Sequence, residues 1–378
     1  MDFTLDEIRE QIVELAKDFA ANELAPRMAE IDDAHSHPWD IFRKFGELGL
    51  YGIIFPEEVY GAGLDFLTWA IVLEEISRGC FNSGLMASVH TMATNAVFRY
   101  GSDALKKKYV LPALDGKKLF AFALSEPDYG SDATSIKTKA SKKSDGYVLN
   151  GTKAWITFGK DADYLLVMAT VDPSLGSKGI IAFVCEKGWD GISYSEPEKK
   201  MGGNGLIISQ VIFTDVFVPI ENRVGEEGQG IKVAFSSLDG GRIGIAANAT
   251  GVMRRAFEEA LKYSKERKQF GTEIINFQAT QFKFAEMAAK IEASQLLLRK
   301  AAWLKSMGKP CTKESSIAKM FATDSAFEVC SEAVQIMGAC GYMQDYPVER
   351  LFRYIKCTQI FEGTNEIQKL IIARELLK

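Results

Sequence analysis

Tyr147-Val148-Leu149-Asn150-Gly151-Thr152-Lys153-Ala154-Trp155-Ile156-Thr157-Phe158 is the stretch on which the fold turns. Two β-prone runs flank an Asn-Gly dipeptide, and this pattern predicts a hairpin with a tight turn at residues 150 and 151. Tyr164 to Met168, Ile180 to Val184 and Leu206 to Phe213 read as further strands. Short strands in succession, without helical spacers, predict an antiparallel sandwich or barrel rather than βαβ units.

Outward from this region the apolar period lengthens from two to about 3.6 residues. On the N-terminal side Ile8, Ile12, Leu15 and Phe19 recur at helical spacing, with Asp6, Glu7, Glu10 and Glu14 interleaved. Ile71, Val72, Leu73, Ile76, Val97 and Tyr100 continue the pattern, punctuated by Pro38, Pro56 and Tyr60-Gly61-Ala62-Gly63. Past Gly225-Glu226-Glu227-Gly228-Gln229-Gly230 the helices return, and Phe282, Phe284, Ala285, Met287, Ala288, Ile291 and Gln295 lie along one long candidate helix. The chain is therefore mixed α and β, in the order helical, β, helical. The expected domains are 1–120, 121–228 and 229–378.

Composition narrows the function. The chain has 378 residues, 47% hydrophobic and 25% charged, which suits two or three globular domains. A net charge of −5 gives no basic face for nucleic acid. No apolar run approaches a bilayer span. The acidic, amphipathic start, Met1-Asp2-Phe3-Thr4-Leu5-Asp6-Glu7, resembles neither a signal peptide nor an Arg-rich transit peptide. The expectation is a cytoplasmic chain, or a mature organellar one. Six cysteines without a Cys-x-x-Cys pair, and three histidines (His35, His37, His90) without His-Glu-x-x-His spacing, predict no metal site.

Five segments carry candidate chemistry. In Ile360-Phe361-Glu362-Gly363-Thr364-Asn365, a carboxylate beside bulky apolar residues loses hydration and becomes a stronger base, while Gly363 admits a ligand close to the backbone. The same Glu362 also reads as a carboxylate near a helix N-terminus. Phe122-Ala123-Leu124-Ser125-Glu126-Pro127-Asp128-Tyr129-Gly130-Ser131-Asp132 offers hydroxyls and loop amides to a flat heterocycle or pyrophosphate, or is an ordinary polar turn. Trp155 can cover an aromatic ring, with Thr157 on the same strand face, or Trp155 is core. Arg267, in Glu266-Arg267-Lys268-Gln269-Phe270-Gly271, can clamp a phosphate, or is a solvated helix end. Leu238-Asp239-Gly240-Gly241-Arg242 sets an acid and a base among small residues, as a ligand contact or an internal ion pair. Neither a Rossmann Gly-x-Gly-x-x-Gly nor a Gly-Lys-Ser/Thr phosphate loop occurs, so a dinucleotide must be held by other means.

In this order the segments resemble the acyl-CoA dehydrogenase family over essentially the whole chain. The most specific match is the tail, Gln335-Ile336-Met337-Gly338-Ala339-Cys340-Gly341-Tyr342, then Tyr346-Pro347-Val348-Glu349-Arg350, then Phe361-Glu362-Gly363-Thr364-Asn365-Glu366. The resemblance implies an N-terminal helical domain, a central β-barrel and a C-terminal four-helix bundle. It implies FAD, an acyl-CoA substrate, electron-transfer flavoprotein as acceptor, and a homotetramer built as a dimer of dimers, with no nucleic-acid or membrane role. Phe122, Leu124, Ser125, Gly130, Ser131, Trp155 and Thr157 would contact the flavin. Arg267, Phe270 and Gln278 would hold its diphosphate and adenosine end. Gln335 and Ala339 would reach it across the dimer interface, and Thr364 and Glu366 would also touch it. Ser131, Asp239, Arg242 and Gly363 match acyl-CoA contacts.

Glu362 would then take the α-proton of an acyl thioester and the β-hydrogen would leave as hydride to the flavin, giving a trans-2-enoyl-CoA. Two donors, a ribityl hydroxyl and the Glu362 N–H, would stabilise the enolate. In branched-chain and some long-chain relatives the base stands on another helix, where this chain has Gly241. Glu362 is therefore the arrangement of straight short- and medium-chain enzymes. The chain departs from the family at Ser125, Tyr129, Phe158, at Met201-Gly202-Gly203-Asn204-Gly205-Leu206 and at Tyr354, which follows Arg353 where Asp is usual. Tyr354 leaves a compact cyclic or branched acyl group open beside a short chain, and His90 reads as a proton-tuning or a packed histidine. Alternative readings are an acyl-CoA oxidase and a non-catalytic flavin-binding relative.

Overall fold

The computed structural model describes residues 3–378, so Met1 and Asp2 of the N-terminal reading lie outside the described residues. Helix α1 (Glu7–Phe19) starts where the Asp6 carboxylate accepts the Arg9 N–H at 3.0 Å, which satisfies one otherwise orphaned first-turn donor. It buries Ala16 and Phe19, while Ile8 of the predicted stripe is exposed. Pro38 immediately precedes α2 (Trp39–Glu47). Asp65 caps α3 (Phe66–Gly79) through the Thr68 N–H at 2.8 Å, and α4 (Phe81–Tyr100) follows, buried along almost its whole length.

Eight strands form the middle third: β1 (Phe120–Ala123), β2 (Lys139–Lys142), β3 (Gly146–Thr157), β4 (Tyr164–Thr170), β5 (Ile180–Glu186), β6 (Ile192–Tyr194), β7 (Ile208–Pro219) and β8 (Arg223–Val224). Their order is β6-β7-β3-β2-β4-β5-β8, with β1 also on β4. Most pairs are antiparallel, but β1 and β2 both run parallel to β4.

The hairpin expected at Asn150-Gly151 does not form. Strand β3 runs straight through it, with β2 on one side and β7 on the other. The pairing steps from Leu149↔Val216 to Gly151↔Phe213, so β7 carries one extra residue here. Within that step Asp215 is left-handed (φ 51°). The Asn150 side chain exchanges two 3.0 Å hydrogen bonds with Asp215, satisfying groups that the bulge takes out of the ladder. Gly151 is required by contact, since a Cβ there would come within 2.7 Å of Thr138. The Asn-Gly signal thus marks a β-bulge. A local turn preference yields when strands on both sides complete the backbone pairing.

The last third is helical: α5 (Gly230–Glu266), α6 (Gln278–Ser306), α7 (Thr312–Met337), α8 (Pro347–Thr358) and α9 (Asn365–Leu376). A two-stranded ribbon, β9 (Lys268–Gln269) and β10 (Thr272–Glu273), joins α5 to α6. The first and last thirds share one core, because α5 packs on α3 and α4 as well as on α6 and α7. Small residues on α5 permit that approach: a Cβ on Gly244 would lie 2.9 Å from Trp69, and one on Gly251 would lie 3.0 Å from Ser77. Arg254 binds Glu74 and Glu75 at 2.6 Å, and Gln295 donates to Glu74 at 2.6 Å, tying α3, α5 and α6 together. Among the described residues no helix is long and apolar enough to cross a membrane, and no cluster of His, Cys, Asp and Glu suits a metal ion.

Candidate active site

Where the β domain meets the helices, a cleft of about 690 Å³ opens between β1, β3, α4, α5 and the 361–375 segment. Glu362 stands in its wall, on the short loop between α8 and α9. Its backbone is left-handed (φ 53°), as is that of Gly363 (φ 86°). An L-residue holds that conformation only when its surroundings impose it. Here the carbonyls of Glu362 and Gly363 accept hydrogen bonds from the Gln368 side chain at 3.2 and 2.8 Å, and Lys319 Nζ donates to the Gly363 carbonyl at 3.0 Å. Asn365 braces the same loop, with its Nδ2 on Asp324 at 2.7 Å.

Both carboxylate oxygens of Glu362 are buried and, among the described residues, neither receives a hydrogen bond. Burial pushes the pKa up to about 7, with the Lys319 and Arg242 charges opposing it. A carboxylate in that state is partly ionised at neutral pH, strongly basic for its type, and unencumbered by donors. Gly241 lies directly behind it: a Cβ at 241 would overlap Glu362 Oε2 and come within 2.7 Å of Met92 Sδ. The missing side chain at 241 is therefore what makes room for the Glu362 carboxylate.

Across the cleft, a second bulge places Trp155. Pairing jumps from Lys153↔Val211 to Ile156↔Ser209, so β3 now has the extra residue, and within that step Trp155 is left-handed (φ 56°). The indole leaves the strand and is 56% exposed, a large apolar plane without a covering partner. Trp155 and Thr157 both line the cleft, with Phe122, Leu124, Ser125, Gly130 and Ser131 beside them. The 125–131 loop is rigid at its base. Glu126 and Tyr129 exchange two backbone bonds at 3.1 Å around Pro127, and Ala154 N–H donates to Ser125 O at 2.9 Å. Beneath it lies a buried ion pair: Lys153 Nζ donates to Glu126 at 2.8 Å and to Leu124 O at 2.9 Å, and Glu126 also accepts the Lys137 and Thr138 N–H groups. Burial pulls Lys153 down to about 8.

Asp239 and Arg242, one turn apart on α5, both line the cleft and pair with each other at 2.8 Å. Thr312 donates to the second Asp239 oxygen at 2.9 Å, whereas Arg242 Nε has no acceptor. The ion-pair reading and the ligand-contact reading thus describe the same two residues.

The structure brings Glu362, Gly363, Phe122, Leu124, Ser125, Gly130, Ser131, Trp155, Thr157, Asp239 and Arg242 to one cleft. It leaves the rest outside. Arg267, Phe270, Gln278, Gln335, Ala339 and Glu366 are exposed and do not line it. Phe270 is 95% exposed at the tip of the β9–β10 ribbon, left-handed (φ 52°) next to Gly271 (φ 84°), a paired geometry that suits a tight hairpin turn. Thr364 is the N-cap of α9, its side chain accepting the Ile367 N–H.

Two residues held open by sequence are placed. His90 is wholly buried, its Nδ1 accepting the Phe120 N–H at 3.1 Å and its Nε2 facing Ala113 O at 3.0 Å. Burial pulls it down to about 4, so it is a neutral strut between α4 and β1. Tyr354 is buried too, stacked on Phe81 with ring centres 5.2 Å apart, and it does not line the cleft. It shares a second buried region with Asp32, which accepts the Asn204 N–H at 2.7 Å and lies 3.7 Å from Arg350 and 3.8 Å from Arg353. Two departures from the family pattern, at 204 and 354, are thus gathered around Asp32, and neither residue lines the cleft.

Sequence reasoning missed Lys319, Gln368, the Lys153–Glu126 pair, and Lys232, Arg374, Leu85, Val89 and Met92 in the cleft lining. Lys319 carried one legible signal: a lone lysine on the stripe Ser315, Ala318, Ala322, Ala326, all of them buried.

Models of the acyl-CoA dehydrogenase N-terminal, middle and C-terminal domains match residues 6–117, 121–216 and 228–377. The chain is 41% identical to the short-chain specific acyl-CoA dehydrogenase of Clostridium acetobutylicum, over 100% of both chains. It superposes on butyryl-CoA dehydrogenase from Megasphaera elsdenii with a TM-score of 0.97 at 41% identity, covering 100% of each. It superposes equally well, with a TM-score of 0.98 at 45% identity and 100% coverage of both, on a chain from work on the electron transferring flavoprotein of Acidaminococcus fermentans. With its three domains matched in order and its cleft built from the residues that carried the resemblance, this chain belongs to the acyl-CoA dehydrogenase family.

Proposed function

We propose that the chain catalyses FAD-dependent α,β-dehydrogenation of a short-chain acyl-CoA, with Glu362 as the base. One observation carries this reading: a buried carboxylate without a single donor, raised to about 7, faces a cleft opposite an uncovered indole. The residues present fit the family cofactor. Trp155 offers an open aromatic face, Gly130 leaves room where a side chain would stand, and Ser125, Ser131 and Thr157 supply hydroxyls on the same side. FAD, when bound, accepts the β-hydrogen as hydride. Every other part of the work falls to the chain. Glu362 takes the α-proton of the thioester. The left-handed backbone at 362 and 363 exposes the loop to the substrate, and Gly241 keeps the space behind the carboxylate clear. Lys232, Arg242 and Arg374 in the lining suit the anionic CoA moiety. Closure of the cleft by substrate strengthens the base further by removing remaining water.

The exposed Arg267, Phe270, Gln278, Gln335 and Ala339 fit a site completed by a second copy, in a homotetramer built as a dimer of dimers. Electron-transfer flavoprotein is the proposed electron acceptor. All six cysteines are free, which suits the reducing cytoplasm. The test is anaerobic bleaching of the yellow holoprotein by a series of acyl-CoAs. Bleaching by butyryl-CoA, weakening as the chain lengthens, is expected; no reduction by any acyl-CoA overturns the reading.

A further inference from the structure

Lys319 holds the Gly363 carbonyl next to the proposed base, and the chemistry above does not use it. It lies fully buried on α7, and its ammonium bonds neutral oxygens, the Gly363 carbonyl at 3.0 Å and Asn365 Oδ1 at 2.8 Å. A buried ammonium that is not matched to a carboxylate at contact distance is costly to keep. The geometry says what it does there. Glu362 and Gly363 are both left-handed, and Lys319 and Gln368 together grip the Gly363 carbonyl from the bundle side. On the same loop the Glu362 side chain lines the cleft.

The charge matters as well as the bond. The charged groups that act on Glu362 or Lys319 are Arg242 on α5, Asp324 on α7 and Glu366 on α9, and around Arg242 in turn stand Asp239 on α5, Cys311 before α7 and Arg374 on α9. Arg242 is committed to Asp239, and Asp324 accepts from Gln359 and Asn365. Lys319 is the strongest charge acting against the burial of Glu362, and Glu362 is in turn the strongest charge sustaining Lys319, which burial pulls down to about 8.

We propose that Lys319 is the positioning residue of the base: its ammonium holds the Gly363 carbonyl and Asn365 on the bundle side, maintains the left-handed loop, and supplies a positive charge beside the loop that carries the Glu362 carboxylate. This rests on Glu362 being the base. The test uses FAD-loaded Lys319→Met and Lys319→Gln proteins with two readouts. The first is the carboxylate carbon resonance of Glu362 through a pH titration, in protein labelled at glutamate and assigned by its loss in Glu362→Gln. The second is the rate of anaerobic flavin bleaching by butyryl-CoA as a function of pH. Lys319→Met should move the Glu362 titration and the acid limb of the rate upward by about one pH unit or more. Lys319→Gln keeps a donor for the Gly363 carbonyl without the charge, so it should show the same shift with a smaller loss of the limiting rate. If Lys319→Met does not fold, the Lys319→Gln titration carries the test. A Glu362 titration unmoved in the folded variants, with only thermal stability or flavin content lowered, overturns the proposal and leaves Lys319 a structural lysine. Bleaching that persists in Glu362→Gln would instead remove the base assignment, while the titration still reads the Lys319–Glu362 coupling.

Discussion

At the scale of the residue, the proposed chemistry rests on a buried carboxylate whose oxygens have no hydrogen-bond partner among the described residues. Glu362→Gln is expected to retain the yellow cofactor and lose flavin reduction on the order of a thousand-fold, measured by stopped-flow bleaching. In the unsubstituted protein the acid limb of reduction should centre near the raised value of about 7, with the rate falling as pH drops and the base becomes protonated. The same shift has a stability consequence. The folded state holds a proton on Glu362 that the unfolded chain has already released, between the ordinary 4.5 and about 7, so stability falls as pH rises through that window. Glu362→Gln removes this loss, and denaturant melts should find it more stable by about 3 kcal/mol at pH values above the window, with no gain below it. Much of this was legible from Ile360-Phe361-Glu362-Gly363, because apolar neighbours imply desolvation. The same string suited an unremarkable helix-start carboxylate, and only the absence of donors around Oε1 and Oε2 separates the two.

At the scale of the element, the bulge in β3 at Trp155 and one glycine on α5 shape the cleft. The Trp155 bulge turns the indole out of a strand that would otherwise alternate it regularly with its neighbours. Gly241→Ala should leave the fold intact and displace the Glu362 carboxylate, lowering flavin reduction about ten-fold or more while circular dichroism is unchanged. Under the flavin-side loop, Lys153→Met leaves Glu126 buried without its cation. Such a break costs about 3–5 kcal/mol, visible as a lowered melting temperature together with weaker flavin retention. Helices were read well because their apolar period is local, and α1, α3, α4 and α6 fall where it placed them. Asn150-Gly151 was misread because a turn and a bulge ask for the same residues, and the choice rests on neighbouring strands distant in sequence.

At the scale of the whole molecule, half of the expected cofactor contacts lie outside the lining of their own chain's cleft. If a second copy completes the site, Arg267→Ala should reduce flavin content after gel filtration, although the residue is exposed and outside the cleft of its own chain. Light scattering on the same sample distinguishes loss of cofactor from loss of assembly. Tyr354 and Asn204 make the complementary point. Distant in sequence, they meet around Asp32, and Tyr354 stacks on Phe81 without lining the cleft itself. The sequence by itself determined the helical, β, helical order and the family, and it singled out Glu362 as the proposed base, because period, motif order and side-chain type are written along the chain. Only the tertiary structure decided that Asn150-Gly151 is a bulge, that His90 and Tyr354 are buried outside the cleft lining, and that Lys319 holds the Gly363 carbonyl beside Glu362. Those outcomes depend on which distant groups satisfy each buried donor, acceptor and charge, and that pairing exists only once the chain has folded.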